Sequence, residues 1–357
     1  MDDERREFLY DLLDTASPAG FEADGQRVWV EYVSEFADVR TDAYGNAVAT
    51  YDGSDGDADS PEFAFAGHAD EVGFIVASVS EDGFLRIEPI GGVDNTVSEG
   101  TQIHVHTTDG VVNGVIGQTA THLRGFGGDE EAADVTEQHV DIGAEDGDHA
   151  RELVEIGDPA TPAAGVHELA GTRLAGRALD NRAGAWVAAE ALRRAAERGV
   201  DCTVHAVSTV QEELGTKGAQ MVAFDLDPDA AVVVDVTHAG DNPTYPGKRA
   251  TEVELGGGPT VARGAANHPL VVRAVRDAGE DEGIDVQVET NGLRTGTDAD
   301  AFFTARGGTP TLMLGIPNRY MHTPAEVVDT DDLTDAAAVL AAFAAANEDR
   351  ESFAVDV

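Results

Sequence analysis

The sequence predicts an α/β protein: a mixed central sheet with helices on both faces, plus an inserted small β-rich domain. Three observations carry that reading. Strand-length apolar runs alternate with helix-length blocks toward both ends of the chain, the pattern of buried strands joined by helices. Between about Val72 and His167 this rhythm gives way to short β segments separated by Gly and Asp turns. Finally, five stretches place a potential metal ligand after a β-branched or small apolar run, at His68, Asp180, Glu213, Asp235 and His322. In open α/β sheets ligands bind outside the carboxyl ends of the strands, so residues distant in sequence can meet there.

The elements follow in order. Residues 4–14 and 25–36 have helical spacing, and Ser17-Pro18-Ala19-Gly20 supplies the turn between them. A hairpin is expected between Val39 and Val48, around Tyr44-Gly45-Asn46. The polar stretch 53–60 leads into a strand over 63–66 that ends before His68. Insert strands are expected over 74–79, 84–90, 102–107, 111–116 and 140–142, with an acidic, Gly-rich and mobile loop over 125–137. A weaker strand over 174–179 precedes Asp180. The Ala-rich helix 182–198 carries Arg193, Arg194 and Arg198 near its C-terminal end, where the dipole favours cations, and stops at Gly199. Strands over 203–210, 231–234 and 311–314 lead to Gln211-Glu212-Glu213, to Asp235 and toward Met321-His322; further helices are expected over 268–278 and 332–347. The division expected is a catalytic α/β domain, 1–71 with 168–357, around an insert, 72–167.

Composition narrows the classes. Asp and Glu number 68 against 23 Lys and Arg, a net charge of -45, and lysine occurs only at 217 and 248. Self-repulsion of that size destabilises a compact state in dilute buffer, whereas ~1 M salt shortens the Debye length to about 3 Å. The balance predicts a halophile's cytoplasm. With 42% hydrophobic residues in element-length blocks the chain is no acidic disordered tail. It offers no basic patch for nucleic acid and no apolar run long enough for a membrane span. The single cysteine, Cys202, excludes an internal disulfide and a thiolate-ligated cluster.

His, Asp and Glu ligands without thiolates suit a catalytic site for zinc, cobalt or manganese. Two ions about 3.5 to 4 Å apart need a bridging carboxylate and two further ligands each. Asp180 would bridge, His68 and Asp235 would complete one ion, and Glu213 with His322 the other. Glu212, beside a ligand yet not consumed by it, is the candidate general base. Asp70, two residues after His68, is a candidate to orient that imidazole. Taken singly each piece fits a blander role: a His-Xaa-Asp is commonly a solvated turn, and Asp180 and Asp235 could be a helix cap and a turn residue.

The segments themselves resemble those of the tetrahedral aminopeptidase (TET) family of dinuclear metallo-exopeptidases, also known as glutamyl or deblocking aminopeptidases. They are GHADEVGF (67–74), GRALDNRAG (176–184), VQEELGTKGA (210–219), DVTHAGD (235–241), GTDADAFF (296–303) and RYMHTPAE (319–326), with GVIGQTATHL (114–123) and VDIGA (140–144) in the insert. The likeness spans nearly the whole chain, in the family's order. It implies a zinc-exopeptidase-like fold, metal ligands at His68, Asp180, Glu213, Asp235 and His322, the catalytic carboxylate at Glu212 and the orienting aspartate at Asp70. It implies further that the insert mediates dimerisation, and that dimers build a hollow tetrahedral dodecamer digesting short peptides. Thr216-Lys217 stands where the family often has a bulky apolar residue and Arg, and Thr323 replaces a frequent Ser; neither is a ligand position.

The expected activity is removal of N-terminal residues from short peptides. Alternatives are an N-acyl amino acid deacylase or desuccinylase on the same kind of site, and an endoglucanase-type glycosidase, since some relatives carry cellulase names. Adjacent Glu212 and Glu213 suit a glycosidase poorly, because its carboxyls flank the bond about 5 to 9.5 Å apart. A non-enzymatic shell protein is disfavoured by the complete ligand set with Glu212.

Overall fold

The computed structural model describes residues 1–54, 60–123, 132–243, 245 and 253–357. Residues 125–131 of the loop expected to be mobile, 55–59 of the polar stretch and Lys248 lie outside the described residues. An eight-stranded mixed sheet forms the centre, in the order Asp38–Thr41, Ala47–Asp52, Thr203–Thr209, Glu62–His68, Ala230–His238, Thr311–Asn318, Thr260–Gly264, Gln287–Asn291. Its middle four strands are mutually parallel, while Ala47–Asp52 and Thr260–Gly264 flank them antiparallel. The parallel strands are buried along almost their whole length, which is why they read as unbroken apolar runs.

Alternation along a strand sends side chains to two separate cores. Phe63 and Phe65 enter the larger one, with helices Asp3–Asp14, Ala23–Val33, Leu179–Arg198, Pro269–Glu282 and Thr330–Ala346. Ala64 and Ala66 enter the other, under helices Lys217–Leu226 and Ala299–Thr304. Helices thus cover both faces, as expected. Cys202 is buried in the larger core.

Leu179–Arg198 lies tight on the sheet because two glycines meet: a Cβ on Gly67 would come within 2.3 Å of the Gly184 carbonyl carbon, and one on Gly184 within 2.4 Å of the Val234 carbonyl oxygen. The helix ends at Gly199, in the left-handed conformation at φ 66°, which favours glycine.

Strands Gly73–Val79, Leu85–Ile90, His139–Asp141, Gly110–Ile116, Gln102–Thr107 and Pro159–Pro162 close, in that order, into a small antiparallel barrel. Phe74, Val76, Leu85, Ile87, Ile103 and Val105 fill it at alternate positions. A third sheet, His167–Glu168, Arg173–Gly176 and Glu326–Asp329, pairs Gly176 with Glu326. Among the described residues no helix is long and apolar enough to cross a membrane.

Candidate metal centre

The structure brings the singled-out residues to one end of the parallel strands, though not all at strand termini. His68 is the last residue of its strand, whereas Asp235 sits inside Ala230–His238. Glu212 and Glu213 lie on the turn after Thr203–Thr209, and His322 on the turn after Thr311–Asn318. Asp180 does not follow a strand of the central sheet. It lies at a kink near the start of Leu179–Arg198, where it and Asn181 leave helical φ/ψ; the segment is fed by Arg173–Gly176 of the three-stranded sheet, and the Asp180–Asn181 peptide bond is cis. The turns are tight enough to put Ala178, Gln211, Thr216, Tyr320 and His322 at positive φ, where non-glycine residues are uncommon and tend to gather at functional sites.

Asp180 is shared between two imidazoles. Its Oδ1 lies 3.3 Å from His68 Nε2 and its Oδ2 3.2 Å from His322 Nε2. His68 Nε2 also lies 3.9 Å from Asp235 Oδ1 and 3.9 Å from Glu212 Oε2, and His322 Nε2 lies 3.5 Å from Glu213 Oε1. Donor atoms fall within 4.8 Å of one another in three sets: His68, Asp180 and Asp235; Asp180, Glu213 and His322; and His68, Glu212 and Glu213.

Each imidazole is held from behind. His68 Nδ1 lies 3.2 Å from the Asp70 carbonyl and 3.4 Å from its Oδ1. His322 Nδ1 lies 2.9 Å from the carbonyl of Gly92, next to the barrel strand Leu85–Ile90. A Cβ on Gly92 would press the His322 ring at 3.1 Å, and one on Gly91 would press Glu213 Cβ at 3.1 Å, so this glycine pair lets the barrel close on the centre.

Two carboxylates position the turns. Asp70, fully buried, accepts the amides of Glu212 and Glu213, each at 3.0 Å, so it aims the pair of glutamates as well as facing the imidazole. Glu326, also buried, accepts the Asp180 amide at 2.7 Å and the His322 amide at 2.9 Å. Sequence reasoning did not single out Glu326, although it closes the RYMHTPAE segment; its reach to Asp180 depends on pairing with Gly176 in the third sheet. Asp298, equally unanticipated within GTDADAFF, accepts the Thr209 hydroxyl, and burial lifts its pKa to about 6.

The electrostatics test whether cations fit. Burial, with Asp235 and Asp298 adding repulsion, pushes Glu212 up to about 9; burial and Asp180 push Glu213 up to about 7, and burial raises Asp235 well above its ordinary range. Burial opposes a charge on His68, yet Asp180 and Asp70 raise it, and Asp180 lifts His322 to about 10. Burial also opposes the charge on Asp180, but His322 and His68 hold it low. Both directions report surplus negative charge that divalent cations would balance, and the oxygen and nitrogen donors suit them. A cavity of about 640 Å³ opens over the cluster.

A family model described as M42 glutamyl aminopeptidase matches residues 45–339. The lysyl aminopeptidase of Pyrococcus furiosus is 33% identical over 331 residues, covering 92% of this chain and 93% of that protein. Among solved structures, a TET aminopeptidase from a marine sediment thaumarchaeon is 30% identical with a TM-score of 0.89, covering 96% of this chain and 97% of that one. The TET1 peptidase of Pyrococcus horikoshii, described as assembling into a tetrahedron or a large octahedral shell, is 28% identical with a TM-score of 0.84, over 95% and 99%.

Proposed function

The chain belongs to the M42 glutamyl aminopeptidase family and is a metal-dependent aminopeptidase, and from that premise we propose how its own residues divide the work. His68, Asp180 and Asp235 would hold one divalent cation, and Asp180, Glu213 and His322 a second. The observation that carries this is the Asp180 carboxylate, whose two oxygens face two different imidazoles. Zinc, cobalt and manganese all suit the donor set. When bound, the cations supply Lewis acidity that polarises the scissile carbonyl and acidifies water.

Glu212 takes the proton of the attacking water and returns it to the leaving amine. Its amide is fixed by Asp70, and its carboxylate lies 3.9 Å from His68 at the edge of the ligand set. The same Asp70 orients the His68 ring. Substrates are short peptides with a free amino terminus, entering the cavity over the cluster.

We propose that residues 72–167 form the dimerisation domain within a catalytic domain of 1–71 and 168–357, and that dimers assemble further into a hollow shell. The TET1 likeness supports the shell. The acidic composition supports a working place in a halophile's cytoplasm.

Glu212→Gln tests the assigned base. It should lower turnover of leucine p-nitroanilide by at least about 100-fold while both metals remain bound by elemental analysis. Ordinary activity in that variant would refute the base, and preference for N-acetylated over free leucine anilide would favour a deacylase.

A further inference from the structure

The sheet face that carries Asp235 continues beyond the metal centre. Thr237 lies two residues on and shares that face; the register aligns Asp235 with Gly315, Gly315 with Thr260, and Ala262 with Glu289. Because Gly315 has no side chain, Thr237 and Thr260 close over it; a Cβ there would lie 2.3 Å from Thr260 Oγ1 and 2.8 Å from Thr237 Cγ2. Both hydroxyls donate to Glu289 Oε1, at 3.1 and 3.2 Å, and Thr237 lies 3.3 Å from Oε2. A carboxylate offers about four acceptor sites, so these two donors leave Oε2 room for a ligand.

Glu289 is itself buried, yet it lines the same 640 Å³ cavity as the metal-centre residues, together with Ala262, Met313 and Met321. Two residues of strand separate Thr237 from Asp235, roughly 6.6 Å, comparable to the reach of a four-carbon stem. Ala262, Met313 and Met321 offer apolar contacts in a lining that is otherwise mostly polar, and with the Glu289 carboxylate they complement a side chain with an aliphatic stem and a cationic tip.

We propose that Glu289 is a specificity-determining residue that selects substrates with lysine or arginine at the amino terminus. This rests on the aminopeptidase reading, with the scissile bond at the metal centre. The opposite selection would come from Arg294, which lines the same cavity and suits acidic side chains.

The test compares p-nitroanilides of lysine, arginine, norleucine, leucine and glutamate on the cobalt-loaded enzyme. Norleucine keeps the lysine stem and lacks only the ammonium. Lysine should exceed norleucine in kcat/KM by more than about tenfold, and Glu289→Gln should bring that ratio close to one. Lysine no better than norleucine, a ratio that survives Glu289→Gln, or a preference for glutamate would each overturn the proposal. The wild-type comparison needs no variant, so it stands even if the Glu289→Gln chain fails to fold. Turnover of leucine without a lysine preference sinks this inference alone; no turnover of any free-amine substrate sinks the aminopeptidase reading beneath it.

Discussion

Carboxylates in this centre differ in task according to what their oxygens accept. Those of Asp180, Asp235 and Glu213 lie among the donor atoms of the cluster, whereas Asp70 and Glu326 each accept two backbone amides from the turns that carry the other residues. Glu326 therefore sets the spacing between Asp180 and His322 without joining the ligand set. In Glu326→Gln one oxygen becomes an NH₂ group, which meets an amide N–H and cannot accept from it. Residues that orient ligands in this way typically contribute 10- to 100-fold in metal affinity. The variant should lose about that much in chelator competition, with the remaining activity recovered at high metal concentration. Unchanged affinity would show that the two amides hold their places without the carboxylate.

At the scale of elements, the reach of one helix decides whether His68 and Asp180 meet. Gly67 and Gly184 let Leu179–Arg198 lie against the strand Glu62–His68, and a methyl group on Gly184 would collide with the Val234 carbonyl and the Asn181 side chain. Backbone yields poorly, so Gly184→Ala should cost about 1–3 kcal/mol of stability and displace Asp180 from the two imidazoles. Thermal melts of the metal-free protein read the first effect, and metal titration the second. A variant with wild-type melting and affinity would disprove the close fit. Both glycines stand in segments whose sequence already drew attention, but their mutual contact did not show there, because packing between a strand and a helix over a hundred residues apart leaves no local periodicity. The same limit explains the other differences. Apolar runs disclosed the parallel strands around Phe65, Val207, Val233 and Leu314, since burial on both faces forces that composition. The strands Thr260–Gly264 and Gln287–Asn291 carry several exposed or half-buried positions, so they form no unbroken apolar run and were not distinguished. Helix Lys217–Leu226, which begins inside the segment VQEELGTKGA, was likewise not among the expected helices. His68, Glu212, Glu213, Asp235 and His322 stood out because an apolar strand run precedes each, whereas Asp180, after a weaker run, stood out mainly through its segment. The supports Gly92 and Glu326 did not, because one comes from the barrel and the other acts through the third sheet.

For the whole molecule, charge sets the conditions under which these contacts hold. With 68 acidic residues against 23 Lys and Arg, most carboxylates have no basic partner available, and their repulsion acts throughout the surface. Buried pairs such as Glu71 with Arg177 are shielded from salt by the protein around them, so added ions weaken the repulsion far more than the pairing. Screening from 0.1 to 2 M KCl cuts the Debye length from about 10 Å to under about 3 Å, shorter than the usual separation of surface charges. A gain of several kcal/mol would raise the melting midpoint by on the order of 10 °C for a chain of this size. Excluded solutes stabilise any compact protein, so the comparison must include sucrose at matched osmolality. Potassium chloride should exceed sucrose clearly, with most of the rise below about 1 M, where screening changes fastest. Light scattering along the same titration reads the assembly: subunit contacts between surfaces of one sign need the same screening, so dimers or larger multiples should persist at high salt and dissociate at low salt. Equal stabilisation by sucrose would remove charge repulsion as the cause, and a monomer at every salt concentration would remove the proposed shell.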